Sequence, residues 1–309
     1  MSTRFPHRAL NYSQVDVFAE RPLEGNMLAI FHDATGLTQA EMQALARETN
    51  LSETTFLVPR DEATESTRGV RVRIFTTQEE LEFAGHPTLG TASWLYWNHP
   101  ILRGSSEIVL DLNVGPVSVR FEAAFEAAED TPGVFGTMRQ PDPTFGDLHD
   151  PAAIAEAIGL TVEDLDSTLP IQTVSTGMAF CIVPLRSLEV AHRLKIPQGK
   201  AQAYLDRSDA KFFHCITRAG QGSRAQWHAR MQFYNGEDPA TGSASGCAIA
   251  FLVRYGAAPS DTLTLFEQGV QMLRPSEIHT RATLQDGFVT KVFVGGRTIP
   301  VATGRFFLP

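Results

Sequence analysis

Short segments in which apolar and polar residues alternate open the chain, at positions 12–18 and 27–31. A period of two residues predicts β-strands, and the Pro- and Gly-containing stretch 21–26 between them predicts a hairpin. A helical period follows, because Met42, Leu45 and Ala46 are spaced for one face of a helix. Thr38 and Glu41 have the spacing of a capping box, so we predict a helix that begins there and ends near residue 50.

The rest of the first half has the pattern of a sheet. Strands are predicted at 54–58 and 70–75, and a hairpin is predicted from the strands 107–112 and 116–121. The polar, turn-rich stretch 61–69 predicts a loop. Residues 123–131, rich in Ala, Glu and Asp, are the predicted connection between two domains.

The second half repeats the order of elements found in the first. A strand at 177–183 resembles the one at 25–31, helical segments follow at 187–195 and 200–206, and a strand at 212–217 parallels 54–58. An additional helix is predicted at 150–158, because Asp150 can cap its start and Gly159 follows its end. The repeat predicts two pseudo-symmetric domains, 1–128 and 129–309, with the last strand able to return to the first domain.

A motif of the form x-Pro-x-x-Gly-[Ser/Thr]-Ala occurs twice, headed once by His86 and once by Asp238. In each copy an extended segment leads to a helix that we predict to start at the glycine, Gly90 or Gly242. The first N–H groups of a helix have no intrahelical partner and carry partial positive charge, which suits a carboxylate. We therefore predict that the two turns face one ligand across a cleft. The alternative is that both glycines only let the helices pack tightly against a sheet.

Charge and composition exclude several classes of function. The chain has 309 residues, of which 43% are hydrophobic, and this is enough for two hydrophobic cores. Its net charge is −9 at pH 7. It has no basic run, which argues against nucleic acid or an anionic membrane as a partner, and no apolar run long enough for a bilayer. Cys181, Cys215 and Cys247 are widely separated, which predicts buried thiols in a cytoplasmic protein rather than disulfides or a metal site.

Four motifs in order over most of the chain resemble the PhzF-like isomerase family of phenazine biosynthesis. They are Asn50-Leu-Ser-Glu-Thr-Thr-Phe56, Phe83-Ala-Gly-His-Pro-Thr-Leu-Gly90, Gly236-Glu-Asp-Pro-Ala-Thr-Gly-Ser-Ala244 and Arg274-Pro-Ser-Glu-Ile278. The resemblance implies the α+β fold of diaminopimelate epimerase, with two domains that each curl a mixed sheet around a central helix. It also implies a homodimer and a reaction without metal or organic cofactor.

The same resemblance implies a site for proton transfer on a small carboxylate-bearing metabolite, with trans-2,3-dihydro-3-hydroxyanthranilate as the family's reference substrate. Glu53 matches the carboxylate that removes a proton from carbon and returns it at another position. His86, Asp238 and Ser243 match the polar groups that hold the substrate and assist proton movement. The glycines that match the lining of the site are Gly85 and Gly242, and the helix start predicted at Gly90 adds a third.

Two other functions compete with this interpretation. The segment Gly242-Ser-Ala-Ser-Gly246 is similar to the G-x-S-x-G elbow of serine hydrolases, with Ser245 as the nucleophile, but Ala244 occupies the central position. A non-catalytic binding protein of the same fold is the other alternative, and the intact set of motifs argues against it. One departure from the family pattern is Leu273, where a glycine is expected before Arg274, and it could narrow or reshape the site.

Overall fold

The computed structural model describes residues 8–121, 133–233 and 236–308. The chain forms two compact units, unit 1 from Met1–Met138 with Arg297–Pro309 and unit 2 from Arg139–Gly296. Both mix helices with strands, so the predicted α+β class is confirmed. The predicted connection at 123–131 lies outside the described residues. No helix within the described ranges is long and apolar enough to cross a membrane.

In its described residues, unit 1 contains three helices and most of the first-half strands that were predicted. Its elements are β1 (Arg8–Val17), β2 (Asn26–Phe31), α1 (Gln39–Thr49), β3 (Glu53–Leu57), α2 (Glu62–Arg68), β4 (Val70–Phe75), β5 (Glu80–Leu81), α3 (Gly85–Asn98), β6 (Glu107–Leu112), β7 (Gly115–Phe121) and β8 (Val134–Arg139). The capping box of Thr38 and Glu41 forms at the start of α1, and Asn50 ends the helix in the left-handed conformation. These local predictions are confirmed.

The sheet of unit 1 curls around α3. Its strands lie in the order β1, β2, β3, β4, β6, β7 and β8, and the other edge of β1 pairs with residues 298–308 of the long C-terminal strand. Helix α3 contacts β1, β2 and β3 as well as β6 and β7, strands from both ends of this order. A single helix can reach both ends only if the sheet bends around it, so α3 is the central helix of unit 1.

The predicted loop at 61–69 is wrong, because α2 forms there. Asp61 caps the helix by accepting a hydrogen bond from the backbone N–H of Thr64. None of the α2 residues is buried. A helix without a buried face has no apolar period, so the hydrophobic pattern carried no sign of it.

Unit 2 contains the elements β9 (Thr144–Leu148), α4 (Pro151–Ile158), β10 (Gln172–Ser175), β11 (Ala179–Pro184), α5 (Leu188–Arg193), α6 (Gln198–Leu205), β12 (Phe212–Arg218), β13 (Trp227–Arg230), β14 (Gln232–Phe233), β15 (Gly236–Glu237), α7 (Gly242–Arg254), β16 (Thr264–Gln268), β17 (Ser276–Gln285) and β18 (Phe288–Leu308). The last residues of β18 belong to unit 1. Helix α4 has the predicted caps, since Asp150 accepts from the N–H of Ala153 and Gly159 is left-handed.

The sheet of unit 2 curls around α7. Its strands lie in the order β18, β17, β16, β13, β12, β11, β10 and β9. Helix α7 contacts β17 near one end and β10, β11 and β12 near the other, and all its residues from Gly242 to Val253 are buried. The opposite face of β11 and β12 packs against α4, α5 and α6 through Cys181, Phe213 and Cys215. Because side chains alternate along a strand, the residues between these point toward α7.

The internal repeat is real, but its register differs from the predicted one. In unit 1 Arg73 pairs with Glu80, and in unit 2 Arg230 pairs with Glu237, each pair seven residues apart. The strand pairs Phe75↔Glu80 and Gln232↔Glu237 have the same spacing. Helix α3 starts at Gly85 and α7 at Gly242, each five residues after its glutamate.

This register makes His86 equivalent to Ser243, and Leu81 equivalent to Asp238. The shared P-x-x-G letters had matched His86 with Asp238. That match is five residues out of the register seen in the structure. The reason is that Pro87 lies inside α3, whereas Pro239 precedes α7. A Pro is compatible with the first turn of a helix as well as with the turn before it, so the shared letters did not fix the register.

Candidate active site

Three polar side chains meet at the start of α3 in unit 1. Glu53 is the first residue of β3, and Oε2 of its carboxylate lies 3.5 Å from Nδ1 of His86 in the first turn of α3. Nδ2 of Asn26, the first residue of β2, lies 3.2 Å from the same nitrogen. Alternation along β3 explains the placement of Glu53, because Thr55 on the same face contacts Thr91 of α3. The structure therefore brings Glu53 and His86 together, and it adds Asn26, which the sequence analysis missed.

His86 is a neutral imidazole in this arrangement. Its side chain is 3% exposed, and burial lowers its pKa to about 3, against a hydrogen bond with the Met27 backbone that acts in the opposite direction. The contact with Glu53 is therefore not an ion pair at neutral pH. Nε2 of His86 is buried, and no residue of the described ranges bonds to it.

A tight turn at Gly25 delivers Asn26 to the site. Gly25 has φ +66°, and a Cβ atom there would lie 2.3 Å from the carbonyl oxygen of Val17. Only glycine fits both the dihedral angle and the space. The Gly-Asn pair is thus the sequence signal that could have identified Asn26.

Gly90 has a different position in α3 from the one predicted. The helix starts at Gly85, so the prediction that Gly90 opens it is wrong. A Cβ atom on Gly90 would lie 2.7 Å from side-chain carbons of both Val17 and Leu28. This close approach to β1 and β2 accounts for the glycine by packing, as the alternative interpretation of the motif had it.

Asp238 in unit 2 belongs to a hydrogen-bonded turn that leads into α7. Oδ2 of Asp238 accepts a hydrogen bond of 2.6 Å from the hydroxyl of Thr241. The amide of Gln268 donates from Nε2 to the Asp238 carbonyl oxygen at 2.8 Å and to the Thr241 hydroxyl at 2.9 Å, and its Oε1 accepts from the Thr241 N–H. All three residues are buried. Thr241 and Gln268 were not predicted from the sequence.

The tail motif supports the same turn. The hydroxyl of Ser276 donates to the carbonyl oxygens of Pro239 at 3.0 Å and Gln268 at 3.2 Å. Leu273, just before this motif, has φ +58°, the left-handed region in which glycine is favoured, and its side chain is 87% exposed. The expectation that Leu273 could narrow the site is not supported, because a side chain so exposed can fill little space inside the protein.

The first turn of α7 holds Gly242 and Ser243, both buried. Ser245 is also buried, one turn into the helix, and its hydroxyl donates to the Thr241 carbonyl at 3.0 Å. A nucleophile elbow needs an exposed serine on a strand-to-helix turn, so this placement argues against a serine hydrolase. Cys247 is no alternative nucleophile, because burial raises its pKa to about 12.

His192, His214 and His228 show no shared metal-ligand spacing in the sequence, which predicts surface or hydrogen-bonded core residues. In the structure they differ from one another. His192 is exposed, and Nδ1 of the buried His228 lies 2.9 Å from a carboxylate oxygen of Glu267, as expected for surface and satisfied core residues. His214 contradicts the prediction, because it is fully buried and no residue that the structure describes bonds to either ring nitrogen. It lies between Phe213 and Cys215 on β12 and so faces α7, and burial lowers its pKa to about 3.

The two arginines of the internal repeat are both paired with glutamates. Arg73 is held by the carboxylate of Glu80, and Arg230 by that of Glu237, each through two hydrogen bonds. A third nitrogen of Arg230 donates to the carbonyl oxygen of Ala191 at 2.6 Å. Both arginines therefore fix the segments before the two central helices.

Comparison with known proteins agrees with this architecture. Residues 15–304 match the model of the family described as phenazine biosynthesis-like protein. A trans-2,3-dihydro-3-hydroxyanthranilate isomerase of Pseudomonas fluorescens is 33% identical, with 96% of this chain and 99% of the relative covered. An uncharacterized isomerase of Mesorhizobium japonicum is 34% identical over the same shares. The solved structure of a predicted epimerase of Pseudomonas aeruginosa superposes with a TM-score of 0.81 at 35% identity, covering 97% of this chain and 100% of that one.

Strands that curl around a central helix in each unit, together with isomerase relatives, define an isomerase with an epimerase-like fold. The related isomerases match over nearly the whole of their length. The chain belongs to the phenazine biosynthesis-like protein family.

Proposed function

We propose that this isomerase moves a proton between carbon atoms of trans-2,3-dihydro-3-hydroxyanthranilate or a closely similar carboxylate-bearing metabolite. The support is the name of relatives such as the isomerase of Pseudomonas fluorescens, at 33% identity over nearly full length. The observation that carries the chemistry is the carboxylate of Glu53 beside a neutral His86 at the start of α3. A positioned carboxylate can accept a proton from carbon and return it at another position.

In this proposal Glu53 is the base and then the acid. His86 is a neutral hydrogen-bond partner, with Asn26 and the Met27 backbone fixing its ring. Its buried Nε2 can accept a hydrogen bond or donate one to substrate. A protonated imidazole is excluded from the working pH range by its burial.

We assign Asp238 to assisting proton movement, and Gly85, Gly242 and Ser243 to binding. Gly85 begins α3 and Gly242 begins α7, with Ser243 next to it. The N–H groups of a first helical turn suit a carboxylate, and the Ser243 hydroxyl adds a further donor. This chemistry needs only acid–base groups, so we propose that it proceeds without metal or organic cofactor.

The test is Glu53→Gln, assayed by turnover of trans-2,3-dihydro-3-hydroxyanthranilate and by NMR of deuterium exchange at carbon in deuterium oxide. Gln keeps the shape of Glu but cannot take a proton at neutral pH, so both rates should fall by about 100-fold or more. KM should change little. Glu62→Gln on the exposed face of α2 is the matched control and should behave as wild type.

A Glu53→Gln variant with near-wild-type exchange would refute the assignment, and Asp238 would then become the candidate base. Wild-type protein that neither converts nor exchanges this substrate would refute the substrate class instead. Dialysis of the wild-type protein against a chelator should leave its rates of turnover and exchange unchanged.

We further propose a cytoplasmic homodimer. The dimer rests on the family resemblance. The location is supported by Cys181, Cys215 and Cys247, which are all buried and free. Sedimentation equilibrium across a dilution series would show a monomer if the dimer is wrong.

A further inference from the structure

In unit 2 the residues Asp238, Thr241 and Gln268 form a hydrogen-bonded group, here called the bracket. The equivalent turn of unit 1 has apolar residues at the positions of Asp238 and Thr241. In the register set by the two Arg–Glu pairs, Leu81 and Ala84 are equivalent to Asp238 and Thr241. Ala84 precedes α3 without any side-chain cap, yet α3 forms and is buried. The fold can therefore build this turn from apolar residues. Folding of the turn therefore does not explain why unit 2 has polar residues at these positions.

The direction of the hydrogen bonds in the bracket is determined by its geometry. The Gln268 amide has Nε2 against the Asp238 carbonyl oxygen and Oε1 against the Thr241 N–H. Turning the amide around would place oxygen against oxygen and N–H against N–H, so this orientation is fixed. Nε2 therefore also donates to the Thr241 hydroxyl. The single hydrogen of that hydroxyl is left for Oδ2 of Asp238, 2.6 Å away.

We propose that Thr241, oriented by Gln268, is a positioning residue that keeps the Asp238 carboxylate ionised and in one rotamer for the proton transfers. The inference rests on the proposed function, in which Asp238 assists the reaction. A hydroxyl that can only donate stabilises the charged carboxylate and disfavours its protonated form, since a protonated oxygen at that place would face a second hydrogen. Gln268 is the residue that removes the alternative hydroxyl orientation.

The test compares Thr241→Val, which keeps the shape and removes the hydroxyl, with Thr241→Ser, which keeps the hydroxyl. The carboxyl carbon of Asp238 is followed by NMR against pH in uniformly labelled protein, its signal assigned by its loss in Asp238→Asn. In Thr241→Val the titration midpoint should rise by about one pH unit, the worth of one hydrogen bond to a charged group. kcat should fall about tenfold or more with KM changed less, and Thr241→Ser should restore both.

The flanking charges are the same in all these variants. They are Glu237, next to Asp238 in the chain, and Arg230, which pairs with it. The tail motif packs on the turn through Ser276, and its charged residues Arg274 and Glu277, with His279 after them, are also unchanged. The difference between the valine and serine variants therefore isolates the hydroxyl. Gln268→Met is a second variant that removes both amide donors while keeping the length of the side chain, and its midpoint should shift in the same direction.

Equal midpoints in wild type, Thr241→Val and Thr241→Ser would overturn the proposal. A raised midpoint with unchanged kcat would also overturn it, because the carboxylate would then be held for no catalytic purpose. If the wild type shows no turnover or exchange of trans-2,3-dihydro-3-hydroxyanthranilate, the proposed function fails. Even in that case, the titration midpoints alone show whether Thr241 and Gln268 set the protonation of the Asp238 carboxylate.

Discussion

The buried imidazole of His214 should make the protein sensitive to acid, and one substitution should remove part of that sensitivity. His214 is fully buried, neither ring nitrogen bonds to any of the described residues, and burial lowers its pKa to about 3 from 6.5. Between these two pH values the unfolded chain binds a proton that the native protein does not. The free energy of unfolding therefore falls as the pH drops from about 6.5 toward 3.

The magnitude follows from the two pKa values. At pH 7 the unfolded imidazole is mostly neutral and the penalty is small. At pH 5 the unfolded state is favoured by RT ln(1 + 10^1.5), which is about 2 kcal/mol for His214. His86 has the same lowered pKa and adds a similar penalty. The free energy of unfolding of the wild type should therefore fall by about 4 kcal/mol between pH 7 and pH 5 because of these two groups.

His214→Leu removes one titrating group and keeps an apolar side chain of similar volume beside Phe180. At pH 7 it should stabilise the protein by about 1–3 kcal/mol, because it removes buried polar atoms without partners. Between pH 7 and pH 5 the free energy of unfolding of His214→Leu should fall by about 2 kcal/mol less than that of the wild type. Urea unfolding followed by circular dichroism at both pH values measures the difference.

Phe213→Leu on the same strand is the control, since it leaves a cavity but titrates nothing. It should lower stability by the same amount at both pH values. Parallel pH dependences for wild type and His214→Leu would refute the reasoning, and would mean that the native imidazole can protonate.

Two backbone predictions follow from the glycine pattern. Leu273→Gly should raise stability by about 0.5–1 kcal/mol, because it relieves the left-handed φ of an exposed residue against the entropy cost of glycine. Denaturant midpoints check it, and a lower midpoint would show that the left-handed conformation costs nothing here. Gly90→Ala should destabilise the protein by about 1–3 kcal/mol, because its Cβ would overlap Val17 and Leu28. An unchanged melting temperature would mean that β1 and β2 yield without cost.

The sequence by itself determined the capped helices α1 and α4 and the family. The caps of α1 and α4 were predictable because a cap depends on residues three or four positions apart, as with Thr38 and Glu41 or Asp150 and Ala153. The four motifs specified the family because each depends on residues that are consecutive in the chain. Glu53 and His86 came from those motifs, and the structure placed them 3.5 Å apart.

Only the tertiary structure decided which residues support the site. Asn26 lies 60 positions from His86, and Gln268 lies 27 positions from Thr241. Such contacts depend on strand register and on which face of a strand a side chain occupies, and neither can be read from residue types. His214 shows the same limit, because alternation places it against α7 but only the packed interior shows that its ring nitrogens bond to none of the residues described. The register of the repeat was also a tertiary matter, since ion pairs and helix starts fixed it where the shared Pro and Gly letters did not.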